Sequence, residues 1–71
     1  MYLMTQNEQS IFDIDRIAFI SCNTDGEVFI GGNGSEVGFV VGKYATLERA
    51  KEVVMDIFIN LENTRYEMPV M

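Results

Sequence analysis

The sequence predicts a small α+β domain in which an antiparallel β-meander of about four or five strands is followed by one amphipathic α-helix. Short apolar segments separated by turn residues occupy residues 2–44, and apolar residues recur at spacings of three and four over 47–62. The chain has 71 residues, a length that supports a single hydrophobic core. We therefore expect one domain over residues 1–71, with the sheet at about 2–44, the helix at about 47–62 and an extended C-terminal tail at 63–71.

Two hairpins are predicted at the start of the sheet. The first covers residues 2–13 and turns at the polar segment 6–9. The second joins an apolar strand at 16–23 to a strand at 27–30 through an Asp-Gly pair. Gly26 of this pair supplies the positive φ angle that a tight hairpin requires, so a β-branched residue at this position should strain the turn.

A glycine-rich loop at 31–34 precedes the last predicted strand, at 36–43. A phosphate-binding loop needs a helix directly after its glycines, whereas a strand follows here, so we interpret this loop as a turn. Within the strand, Gly38 and Gly42 alternate with bulkier residues. One face of the strand is therefore thin, and another group is expected to approach it closely.

The predicted helix begins after Thr46, which is a suitable N-cap. At about 100° per residue, one arc of the helix gathers a buried stripe, formed by Leu47, Ala50, Val53, Val54, Ile57, Phe58 and Leu61. We expect Phe58 and Leu61 to pack against the sheet, so that Phe58→Ala would cost roughly 3–5 kcal/mol. Met55 and Ile59 fall on the far side of the helix and form a second, small apolar patch.

Charge and composition exclude several classes of function. Eleven acidic and five basic residues give a net charge of −6, which would repel nucleic acid, so direct nucleic-acid binding is not expected. No stretch approaches the ~20 apolar residues of a membrane span, so no membrane contact is expected. The single cysteine, Cys22, cannot form an internal disulfide, and the N-terminus lacks the basic flank of a signal peptide. We therefore expect a cytoplasmic protein.

No residue pattern in the sequence indicates catalysis. The chain has no histidine, and Cys22 has no neighbouring base to activate it. The carboxylate pairs Asp13/Asp15 and Asp25/Glu27 lack the further oxygen ligands that a calcium loop supplies. We therefore predict no metal site and no cofactor, and expect that the protein is not an enzyme.

The apolar pattern instead favours an interaction surface. The strand segment 17–22 is apolar on both faces, whereas one helix covers only one face of a small sheet. We predict a non-enzymatic interaction or accessory module that binds a protein partner or a second copy of itself. The candidate contact residues are Ala18, Ile20, Met55, Ile59, Tyr66 and Met68.

Two alternative functions fit the same sequence. A small-ligand or regulatory domain would use the thin sheet face near Gly38 and Gly42 and would show a concave pocket with a few polar groups. An acidic mimic of nucleic acid would align carboxylates on one face and occupy a nucleic-acid-binding protein.

Segment 42–57, from Gly42 to Ile57, resembles the strand-to-helix part of a group of small uncharacterised proteins from Gram-positive bacteria and their mobile elements. The Thr-Gln-Asn at 5–7 and the Asp-Arg-Ile at 15–17 are similar to the opening of those proteins, and the Tyr-Glu-Met-Pro at 66–69 resembles the tail of some of them. The resemblance implies a sheet-plus-helix domain in a cytoplasmic setting. It transfers no activity and no site residue.

Overall fold

The structure, a computed structural model, describes residues 1–32 and 38–71. In these residues it has six short strands and one α-helix, which confirms the predicted α+β class. The elements are β1 Tyr2–Met4, β2 Ile11–Asp13, β3 Phe19–Cys22, β4 Glu27–Gly31, β5 Phe39–Lys43, α1 Leu47–Ile59 and β6 Arg65–Glu67, with a 3-10 helix at Ile14–Arg16 between β2 and β3. The predicted glycine-rich turn lies partly outside the described residues, as do the first two residues of the predicted last strand.

The strands form two three-stranded sheets, β2-β1-β6 (sheet A) and β3-β4-β5 (sheet B). The two predicted hairpins are present, as the antiparallel pairs β1-β2 and β3-β4, and β5 continues sheet B antiparallel to β4. The segment predicted as an extended tail contains β6, which pairs parallel with β1. The N-terminal and C-terminal segments of the chain therefore share one sheet.

The turn between β3 and β4 follows the predicted geometry. Gly26 has a φ angle of +83°, which confirms the prediction for this residue. The Asn23 side chain accepts hydrogen bonds from the N–H groups of Asp25 and Glu27, each at 3.1 Å. A Cβ atom at Gly26 would overlap the carbonyl oxygen of Tyr44. Glycine is therefore required both by the turn and by the close approach of the segment that follows β5.

The hydrophobic core lies between the two sheets and α1. Its buried members come from every layer of the fold, and they are Leu3, Ile14, Val28, Ile30, Val41, Tyr44, Ala50, Val53, Ile57, Tyr66 and Met68. Cys22 is partly buried against this cluster, as a small apolar side chain. The core therefore includes residues from β6 and the tail, Tyr66 and Met68, as well as residues from the predicted meander and the helix.

The helix begins where the sequence predicts and buries most of the predicted stripe, since Ala50, Val53 and Ile57 are buried and Leu47 and Val54 are half-buried. The Thr46 hydroxyl accepts a hydrogen bond from the Arg49 N–H at 3.1 Å, which confirms Thr46 as the N-cap. The prediction that Phe58 and Leu61 are buried was wrong, because these residues are 67% and 43% exposed. Leu61 also lies beyond the last helical residue, Ile59.

The docked tail contacts the flank of α1 opposite Phe58. The Tyr66 hydroxyl donates to the Asp56 carboxylate at 2.6 Å, and the Arg49 guanidinium donates to the main-chain oxygen of Met71 at 2.8 and 3.0 Å. At about 100° per residue, Arg49 and Asp56 flank Val53 on the side away from Phe58. The tail therefore binds this flank of the helix, while Phe58 lies on the other flank and is mostly exposed.

One side chain, that of Gln6, links the tail to both sheets. Its amide nitrogen donates to the carbonyl oxygens of Pro69 and Val70 at 3.2 and 3.0 Å, and its amide oxygen accepts from the Lys43 N–H at 2.7 Å. The Gln6 main-chain N–H donates to the carbonyl oxygen of Val41 at 2.8 Å. Gln6 therefore joins the end of β1, strand β5 and the tail at one point.

The hydrogen bonds of Gln6 predict that replacing its side-chain amide by a carboxylate destabilises the fold. In Gln6→Glu, a carboxylate would face the carbonyl oxygens of Pro69 and Val70 without a donor, and we expect the free energy of unfolding to fall by about 2 kcal/mol. Gln9→Glu is the matched control, because this glutamine is exposed in the same loop. Urea denaturation at neutral pH measures both variants, and equal stabilities would contradict this account of the tail.

Candidate interaction surface

An apolar groove of about 330 Å³ runs between α1 and β3. Its floor comes from the core side of the helix, and its walls come from the segment before β3 and from the end of α1. The lining residues are Ile14, Ile17, Ala18, Phe19, Ile20, Val54, Ile57, Phe58 and Leu61. Every side chain in this set is apolar, so the groove offers dispersion contacts and apolar burial rather than acid–base or ligand chemistry.

The outer side of α1 extends this groove. Met55 and Ile59 are 55% and 72% exposed, and on the helix surface Met55 neighbours Phe58, three residues on, and Ile59, four residues on. We call the four residues Met55, Phe58, Ile59 and Leu61 the α1 patch. Phe58 and Leu61 belong both to the patch and to the groove, so the two form one continuous apolar surface.

Strand β3 borders the groove and forms an edge of sheet B. Within the described residues, β3 pairs with β4 and has no strand on its other side. Natural edge strands usually carry a lysine, another charged residue or a proline, which prevents pairing with a second chain. The segment 17–22 contains none of these, whereas the edge strands of sheet A, β2 and β6, contain Asp13, Arg65 and Glu67. The β3 edge is therefore open to strand pairing.

The structure brings four of the six candidate contact residues together. Ala18 is exposed and Ile20 half-buried, both in the groove, and Met55 and Ile59 belong to the α1 patch. Tyr66 and Met68 are instead buried inside the chain, so they are not part of this surface.

Sequence reasoning missed Phe58 and Leu61 as surface residues because it treated the tail as separate from the sheet. A signal was present in the tail itself. Arg65, Tyr66, Glu67 and Met68 alternate between charged and apolar residues, which is the period-two pattern of a half-buried strand. If this pattern is read as a strand, Tyr66 and Met68 become candidates for the core positions that the helix pattern assigned to Phe58 and Leu61.

The thin face of β5 is filled by the chain's own groups. A Cβ at Gly42 would lie 3.0 Å from both the Met68 methyl carbon and the Tyr44 hydroxyl oxygen, and one at Gly38 would lie 2.7 Å from the Phe29 ring. The adjacent depression has a volume of only about 130 Å³. Side chains of the tail and the core therefore occupy the space beside Gly38 and Gly42, where the sequence left room for a small ligand.

A second concave area, of about 510 Å³, lies on the outer face of sheet A. Its lining residues are Tyr2, Met4, Ile11, Thr64, Arg65, Tyr66 and Glu67. Unlike the groove beside α1, this area includes charged side chains from β6. The edges of its sheet also carry charges, which disfavour strand pairing.

The carboxylates that the sequence singled out have local structural partners. Asp13 accepts the N–H of Asp15 at 3.1 Å and lies 3.7 Å from the Arg16 guanidinium, while Glu27 accepts from the Asn23 side-chain amide at 2.9 Å. Across residues 1–32 and 38–71, no group of three or more Cys, Asp or Glu side chains is arranged to hold a metal ion. These residues stabilise turns in the described structure.

Burial and the neighbouring carboxylate perturb one titratable group strongly. Burial raises the pKa of Tyr66 well above its ordinary value of 10.0, and the hydrogen bond and negative charge of Asp56 raise it further. The neutral phenol is therefore the form that the folded protein holds. Burial also raises the pKa of Tyr44, although the Arg49 charge opposes this rise.

Comparison of the chain with protein-family models, with curated proteins and with solved structures gives no match. The resemblance to small proteins of Gram-positive bacteria therefore stays a prediction. In the part of the chain that the structure describes, no helix is long and apolar enough to cross a membrane.

Adjacent residues of α1 provide a direct test of which face is buried. Because Phe58 is mostly exposed, we expect Phe58→Ala to change the free energy of unfolding by less than about 1 kcal/mol. Ile57 is 1% exposed, so Ile57→Ala should cost about 2–5 kcal/mol. Denaturation of dilute protein compares the two variants, and a larger loss at position 58 would contradict the orientation of the helix.

The raised pKa of Tyr66 predicts a loss of stability at alkaline pH. Its folded pKa lies above its unfolded value, so its contribution is complete below about pH 10 and falls as pH rises from there towards the folded pKa. In Tyr66→Phe, the dependence of unfolding free energy on pH above 10 should become shallower. Tyr2→Phe, at an exposed tyrosine, is the control. An alkaline slope that Tyr66→Phe leaves unchanged would refute this linkage.

Proposed function

We propose that the protein is a non-enzymatic interaction module and that the groove together with the α1 patch is its docking surface. The observation that carries the proposal is a groove whose lining side chains are all apolar, continued on the helix by the exposed side chains of the α1 patch, on a chain with a net charge of −6. A cytoplasmic setting, inferred from the lone Cys22 and from the resemblance, is part of the proposal.

The composition of this surface supports a protein partner. The centres of protein–protein interfaces are enriched in aromatic residues and methionine and depleted of charge, with polar residues at the rim. The α1 patch has this arrangement, since Phe58 and Met55 lie at its centre and Glu52 and Glu62 lie beside it along the chain. Covering exposed apolar area yields about 25 cal/mol per Å², which favours association.

The two alternative functions receive less support. Met68 and Tyr44 fill the space beside Gly42, where a small ligand was considered. The carboxylates lie on several elements, among them the turn at Asp25, the helix at Glu48 and strand β6 at Glu67. Neither arrangement favours a ligand-binding domain or an acidic mimic over a protein-interaction module.

Site-directed photo-crosslinking, carried out in the cells that naturally make the protein, tests this function. A benzophenone amino acid at position 58 should give one discrete covalent adduct with a protein. The control carries the same group at position 70, because Val70 is 70% exposed, close to the exposure of Phe58, but belongs to the tail. A discrete adduct at 58 that is missing at 70 supports the proposal. Equal, diffuse labelling at both positions contradicts it.

A further inference from the structure

We propose that the partner at this surface is a second copy of the chain, and that two β3 edges pair antiparallel about a twofold axis. The inference rests on the proposed function and names the occupant of the same surface. In the resulting dimer, the two copies of sheet B form one six-stranded sheet, and the two α1 patches meet on one side of it.

The backbone of β3 is arranged for such pairing. The Asn23 N–H donates to the Glu27 carbonyl oxygen at 3.1 Å, and hydrogen-bonded and non-bonded pairs alternate along an antiparallel ladder. The main-chain groups of Ile20 and Cys22 therefore point away from β4, towards the open edge. An antiparallel pair of identical strands is symmetric about a twofold axis, as a closed dimer requires.

The position of the helix favours a partner that brings both a strand and a helix. Helix α1 packs mainly over β3 and β4, so it lies towards the open edge of sheet B. Phe58 and Leu61 line the groove that opens beside this edge. A single peptide strand would satisfy the β3 backbone but leave most of the α1 patch exposed. A second copy supplies a strand for the edge and an apolar helix face for the patch.

Phe58 and Leu61 are the α1 patch residues that lie towards the open edge, whereas Met55 and Ile59 point away from the sheet. With roughly 200 Å² for a fully exposed large side chain, the exposed fractions of Phe58 and Leu61 amount to about 220 Å² per copy. The β3 edge and the groove add to this area in both copies, and all three must be covered to reach the ~1,000 Å² expected of a biological interface.

Charge gives the dimer a distinctive salt dependence. Two chains with a net charge of −6 repel each other at long range, whereas strand β3 and the groove carry no charged side chain. Added salt screens the repulsion and leaves the apolar contact in place. Self-association should therefore tighten as the salt concentration rises.

Light scattering after size exclusion, over a wide range of concentration and at low and high salt, tests the inference on the purified full chain. We expect the mass to rise from 8.1 kDa towards twice this value with concentration and with salt. Ala18→Lys places a charge beside the β3 edge and Phe58→Gln removes the centre of the patch, and each should raise the dimer dissociation constant by about tenfold or more. Ala45→Lys and Val70→Gln add or remove comparable side chains at exposed positions elsewhere and should leave it unchanged.

Amide hydrogen exchange of the unmodified protein provides a second measurement that does not depend on how the variants fold. Protection of the Ile20 and Cys22 amides should increase with protein concentration. A mass of 8.1 kDa at every concentration, or a dimer unaffected by Ala18→Lys with no change in these amides, overturns the inference. If position 58 still crosslinks to a different protein, the proposed function survives this failure. If it gives no discrete adduct, both fail.

Discussion

The rest of the structure depends on how the C-terminal tail is held. Strand β6 pairs with β1, Gln6 binds the carbonyl oxygens of Pro69 and Val70, and the Tyr44 hydroxyl donates to Pro69 at 2.8 Å. These bonds place Met68 against the backbone of Gly42, where any larger residue would compete for space. The tail thus helps to close the core through its pairing with β1.

The docked tail lies on the side of the helix opposite the exposed Phe58. The tail provides partners for Arg49 and Asp56, on one side of α1, and it fills core space with Tyr66 and Met68. The opposite side, centred on Phe58, then lies beside an edge strand that has no neighbour in the described part of the chain. The apolar surface that we propose for association therefore lies on the side of the helix that the tail does not contact.

Local patterns were sufficient for much of the fold. The Asp-Gly turn at Gly26, the N-cap at Thr46 and the hairpins depend on neighbours within a few residues, so their signals can be read from the sequence. Whether Phe58 is buried or exposed depends on how α1 packs against elements that are distant in sequence. Helical periodicity alone does not contain this information. Met55 and Ile59 were recognised as exposed because they fall outside any arc that the sheet can cover.

The most direct test of this account is a nuclear Overhauser measurement on dilute, monomeric protein. The account predicts cross-peaks between the Met68 methyl group and the Gly42 α-protons, and none between the Phe58 ring and the core residues Val28 and Ile30. Cross-peaks from the Phe58 ring to Val28 and Ile30, together with a tail that shows no contacts to β1, would contradict it.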